Sequence, residues 1–155
     1  MSSTKQKRLF IIDGYATLYR AHYALIRNPL TNSAGTPTSA IFGFANQVFQ
    51  LIEEEKPDYL VAAFDSKGKN FRHEIYEEYK ANRSEMPDEI QTQLPYLWTL
   101  LEGMNIPVLR VDGVEADDII GTVAKQCGDS DLQCNIVSGD KAVSYTHLTL
   151  PTMAI

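Results

Sequence analysis

Four short apolar runs, RLFIID (8–13), DYLVAAFD (58–65), IPVLRV (106–111) and CNIVSGD (134–140), alternate with longer stretches of helical character. This alternation constrains the fold more than any other feature of the chain. Each run has the length and β-branched or aromatic content of a buried strand. Between them, YATLYRAHYALI (15–26), SAIFGFANQVFQLIEEE (39–55), DEIQTQLPYLWTLLEGM (88–104) and EADDIIGTVAKQC (115–127) read as helices. In the second helix Ile41, Phe44, Ala45, Val48 and Leu51 or Ile52 share one face. Pro95 is expected to kink the third helix, and Gly103 to stop it. The segment RNPLTNSAGTPT (27–38) is loop by its Asn, Pro, Ser and Gly content, with Thr38 or Ser39 placed to cap the helix that follows. Strands alternating with helices imply right-handed βαβ units. The expected fold is therefore α/β, a doubly wound, mostly parallel sheet with helices on both faces.

In such sheets ligands bind beyond the carboxyl ends of the strands. Asp13, Asp65 and Asp140 each stand just past a strand, and Glu115, Asp117 and Asp118 follow the third strand by a short turn. Any one of these acids alone is an ordinary strand exit or helix cap. Their coincidence at one edge is the informative feature. Glu115 and Asp118, three apart, share a helix face, whereas Asp117 points about 100° away from its neighbour. Gathered carboxylates repel, and a divalent cation resolves the repulsion. Oxygen ligands without His or Cys favour Mg²⁺ or Mn²⁺ over zinc, and a cluster of this size suits a two-ion site that hydrolyses phosphodiesters.

The formal charge of −6 argues against a nucleic-acid partner only if charge is evenly spread. It is not. SKGKNFRHEIYEEYKANR (66–83) sets Lys67, Lys69, Arg72, Lys80 and Arg83 against Glu74, Glu77 and Glu78. Phe71, Tyr76 and Tyr79 are interleaved with the cations. Stacking aromatics beside phosphate-binding cations suit a single nucleic-acid strand, although a solvated charged connection has the same composition. Arg20, on the first helix, is a further candidate phosphate contact. His22 and His73 read as surface or packing residues, Glu53 to Glu55 as a solvated face, and Cys127 and Cys134 as small buried apolar residues. With no apolar run long enough to span a bilayer and no signal-peptide pattern at the start, the expected location is the cytoplasm.

The stretches LFIIDGYATLYRAHYAL, PLTNSAGTPTSAIFGF, KPDYLVAAFDSKGKNFRHEIYEEYKANR, GVEADDIIGT and SGDK, in that order, resemble the 5'→3' exonuclease domain at the amino terminus of bacterial DNA polymerase I, in the flap endonuclease superfamily. The resemblance implies a Mg²⁺-dependent nuclease acting on 5' flaps, nicks and RNA primers in replication and repair, joined in the intact chain to a polymerase. It assigns Asp13, Asp65, Glu115 and Asp117 to a first metal site and places Asp118 and Asp140 toward a second. It matches Arg72, Tyr79, Lys80 and Arg83 to a helical arch that handles the free strand. Lys80 and Arg83 are the expected catalytic cations, with Lys80 at the transition state.

The likeness runs to Lys141. The family's Gly-Asp-Lys-Asp motif requires a carboxylate where Ala142 stands, and VSYTHLTLPT (143–152) resembles a translated transposase adapter of the kind used in sequencing libraries. The expectation is thus an incomplete exonuclease domain over 1–141 and a non-native tail over 142–155. Lacking the second metal site and a duplex-holding helical element, such a chain is expected to cleave poorly. The alternatives are a free-standing 5' nuclease, a non-catalytic single-strand binding fragment, and a Mg²⁺-dependent phosphatase. The last is disfavoured because Asp13 lacks a second acid two residues on.

Overall fold

The computed structural model describes residues 6–66 and 86–138 in full and the backbone of Lys141–Tyr145. The elements run β1 (Arg8–Asp13), α1 (Gly14–Ala24), α2 (Ser39–Glu55), β2 (Tyr59–Ala63), α3 (Asp88–Gln91), α4 (Leu94–Gly103), β3 (Val108–Leu109), α5 (Ala116–Gly128), β4 (Gln133–Ser138) and β5 (Lys141–Tyr145). They form a five-stranded sheet in the order β3-β2-β1-β4-β5. The first four are parallel, and β5 adds antiparallel to β4. The chain winds outward from β1 to β2 and β3, then returns to place β4 on the other side of β1. That reversal puts the switch point of the sheet between β1 and β4, whose carboxyl ends are where open α/β sheets bind ligands.

Strand alternation divides the apolar residues between two layers. Phe10, Ile12, Ala62, Phe64 and Val137 face α1, α2 and α4, where they meet Leu18, Phe44, Val48, Leu97 and Leu101. Leu9, Ile11, Ala63 and Cys134 face α5, where they meet Ala116, Ile119, Ile120, Ala124 and Cys127. Each fully buried Phe or Leu contributes about 1.5–3 kcal/mol, so both layers are needed to hold the edge in place. Gly43 lets α1 and α2 touch, since a Cβ there would sit 2.5 Å from that of Ala21.

Several local expectations change. The helix expected over 88–104 is two helices, because Pro95 falls in the first turn of α4 instead of kinking a continuous one. Its missing N–H costs nothing there. Gln93, at the junction, is buried; its Nε2 donates to the Glu89 carbonyl (2.7 Å) and its Oε1 accepts from the Ile41 N–H (3.0 Å). Thr38 occupies the cap position of α2 without a side-chain cap, and the Ser39 hydroxyl instead accepts from the Leu30 N–H (2.7 Å), pinning the preceding loop. Ile52 turns outward, leaving Leu51 as the buried member of that pair. Glu55 is not simply solvated, since it pairs with Arg8 at 2.7 Å. The third strand shrinks to two residues on the edge of the sheet, beyond Pro107, which has no N–H to give. Cys127 and Cys134 are buried free thiols, and burial pushes the latter up to about 12.

Candidate active site

Asp13 ends β1, next to β4 in the sheet, and occupies the cap position of α1. Gly14 begins the helix at once. A Cβ on Gly14 would lie 2.2 Å from the Phe64 ring, so glycine is required here by a close approach and not by a turn. Phe64 is fully buried and leads directly into Asp65, which places the exits of β1 and β2 side by side.

The exit of β2 is tied to the start of α5 by three bonds. The Ala116 N–H donates to Asp65 Oδ1 (2.7 Å), the Gly113 N–H to Ser66 Oγ (3.1 Å) and the Ser66 N–H to the Val114 carbonyl (3.4 Å). Gly113, at φ 79°, makes the left-handed turn that aims the chain into α5. Glu115 is buried and forms a capping box with Asp118, whose carboxylate accepts from the Glu115 N–H at 3.4 Å. The adjacent acids thus divide. Asp118 closes the helix end, while Asp117 is exposed and raises the Asp13 carboxyl by its charge.

Burial, then the charge of Asp117, and to a lesser degree that of Asp65, push Asp13 up to about 6, against a downward pull from the Ala16 N–H. Asp13, Asp65 and Asp117, from three separate elements, therefore share one electrostatic field. Among the described residues no three acids already converge as a metal cage. The two observations are compatible, because charge coupling reaches farther than ligation and Asp65, Glu115 and Asp118 are engaged with the first turn of α5. The donor set still fits a hard divalent cation, being all oxygen and negatively charged.

Arg20 is exposed on α1. Asp140, Lys67, Lys69, Arg72, Tyr79, Lys80 and Arg83 lie outside the described residues, as do His73, Glu77 and Glu78. Sequence reasoning passed over an aromatic group next to Asp65. Tyr15 packs edge-on against Phe64 (5.0 Å), Phe64 against Trp98 (4.8 Å), and the Arg110 guanidinium lies over the Trp98 ring (5.0 Å). Its only sequence signal was Arg110 in a strand otherwise apolar.

A doubly wound parallel sheet with carboxylates at its carboxyl edge is the architecture of a resolvase-like α/β domain. The chain belongs to the family described as 5'-3' exonuclease, N-terminal resolvase-like domain, whose sequence model matches residues 8–146. It is 46% identical over 134 residues to the DNA polymerase I of Caldicellulosiruptor bescii, covering 86% of this chain and 16% of that one. It is 41% identical over 135 residues to a 5'-3' exonuclease of Aquifex aeolicus, covering 87% of this chain and 46% of that one. The chain therefore spans less than half the length of either relative. In fold it is similar to the bacteriophage T5 flap endonuclease solved as a pseudo-enzyme-product complex with DNA and metal ions (TM-score 0.58, 19% identity, 88% of this chain and 57% of that one).

Proposed function

We propose that the chain is the amino-terminal part of a divalent-metal-dependent 5'→3' exonuclease and 5' flap endonuclease. The observation that carries this reading is the gathering of Asp13, Asp65 and Asp117 at the carboxyl edge of a 5'-3' exonuclease-family sheet, where the charges of Asp117 and Asp65 add to burial in raising the Asp13 carboxyl. Asp13, Asp65, Glu115 and Asp117 would hold a first Mg²⁺ or Mn²⁺ ion, with Asp118 and Asp140 toward a second. When bound, the ions neutralise the acids, ready a water nucleophile and stabilise the leaving oxygen. The chain's own contribution is to position the carboxylates through the 65–116 tie and to exclude water beneath them with Phe64. Lys80 and Arg83 serve as catalytic cations, and Arg20, Lys67, Lys69, Arg72 and Tyr79 as contacts to DNA or primer RNA.

The polymerase I relatives support a place within a longer chain that carries a polymerase, and the proposal includes a role in replication and repair in the cytoplasm. The Aquifex relative supports a second reading, a 5' nuclease separate from any polymerase, because its own name is that of an exonuclease alone. The boundary at Lys141 belongs to the proposal too. Ala142 stands where the family motif has Asp, and β5 begins at this junction. Long-read sequencing of the locus across the Lys141 codon tests it. An Asp codon next in frame supports a foreign tail, and an encoded Ala-Val-Ser-Tyr removes it.

The activity is tested by incubating the chain with a 5'-labelled flap duplex in Mg²⁺ or Mn²⁺. The expected result is slow release of 5' fragments, abolished by EDTA and by D13N with D65N. Cleavage that persists in EDTA, or that starts from 3' ends, overturns the reading.

A further inference from the structure

Arg110 stands one residue past β3, on the same carboxyl edge as Asp13 and Asp65, and it is exposed. We infer that Arg110 contacts a backbone phosphate of the nucleic-acid strand presented to this edge; the inference rests on the nuclease reading above.

An exposed arginine ordinarily samples many rotamers, and fixing one opposes binding. Here the rotamer is already supported. The guanidinium lies over the Trp98 indole at 5.0 Å, and Trp98 leans edge-on against the fully buried Phe64 at 4.8 Å. Tyr15, which packs edge-on against the same Phe64 ring at 5.0 Å, lies close enough to feel the guanidinium charge. The pedestal is thus anchored in the core through the residue that immediately precedes Asp65. An indole face supports the planar fork without cancelling its charge, and a guanidinium so placed presents donors matched to phosphate oxygens.

Location supplies the other half. A phosphodiester approaching Asp13, Asp65 and Asp117 meets a repulsive field, and a fixed cation on the neighbouring strand offsets it. Tyr15 senses both Arg110 and Asp65, so the cation and the carboxylate edge lie within one electrostatic neighbourhood.

The test is fluorescence anisotropy of a labelled duplex bearing a single-stranded 5' extension. It is run in EDTA over a series of KCl concentrations, with the wild-type chain, R110A and R110K, and with thermal melts alongside. R110A should weaken binding about five- to tenfold and lower the slope of log Kd against log salt by about one contact, with little change in Tm. R110K should restore the slope while binding more weakly than wild type, because the point charge lacks the fork. Wild-type slope in R110A overturns the inference and leaves the nuclease reading standing, whether or not affinity falls with Tm. No salt-dependent binding by the wild-type chain overturns the nucleic-acid reading and this inference with it.

Discussion

Asp65 accepts a 2.7 Å hydrogen bond from the backbone N–H of Ala116, joining the exit of β2 to the first turn of α5. Through this bond two segments 51 residues apart hold their acids at one edge. It also satisfies one of the N–H groups that every helix start leaves without a partner.

Removing the acceptor and removing the charge should therefore have different effects. D65A orphans the Ala116 N–H and is expected to cost about 1–3 kcal/mol. D65N keeps an acceptor and relieves repulsion with Asp13. Urea denaturation at neutral pH should rank D65N at or above wild type and D65A below it.

Gly14 should tolerate no side chain. With a Cβ placed 2.2 Å from the Phe64 ring, G14A must displace either that ring or Asp13. The expected loss is about 1–3 kcal/mol, as for other overpacked cores. Phe64→Leu, destabilising by itself, should recover part of the loss in the G14A background, a coupling that a double-mutant cycle measures.

The helix-capping role predicts a contrast between adjacent acids. D118A should lower stability by about 0.5–2 kcal/mol through loss of the capping box, more than D117A, whose residue is exposed at the same helix start and outside that box. Thermal melts of the two variants in EDTA decide the point.

Asp13 gives the metal-free protein a pH signature. Its carboxyl titrates near 6 when folded against an ordinary value of 3.8, so between these pH values the folded chain holds a proton that the unfolded chain has released. Stability from this group is full below about pH 4 and is lost as pH rises through about 6. The difference approaches about 3 kcal/mol at most, less what solvent screens. D13N should remove this component, so its Tm advantage over wild type should grow from pH 4 to pH 7 in EDTA. An advantage independent of pH would contradict the assignment.

The short apolar runs alternating with helical stretches were enough to read the parallel sheet from sequence, and three of the four runs end on an acid. Leu9 and Ile11 face one layer, and Phe10 and Ile12 the other, as a doubly covered strand requires. Three features needed three dimensions. The division of labour between Asp117 and Asp118 depends on which way the first turn of α5 faces, and spacing gave only the angle between them. The Phe64–Trp98–Arg110 stack joins three segments with no sequence relation. Gly14 next to an aspartate looks like a turn until the Phe64 ring is seen to occupy the space of its missing side chain.

The central claim, that Asp13 and Asp117 belong to one divalent-cation site, is tested most directly by calorimetric titration of Mn²⁺ into the wild-type chain and a D13N/D117N variant at pH 8. Saturable binding by the wild-type chain, lost in the variant and weakened in the wild type as pH falls below 6, is the predicted result. Equal binding by both proteins, or none by the wild type, would contradict it.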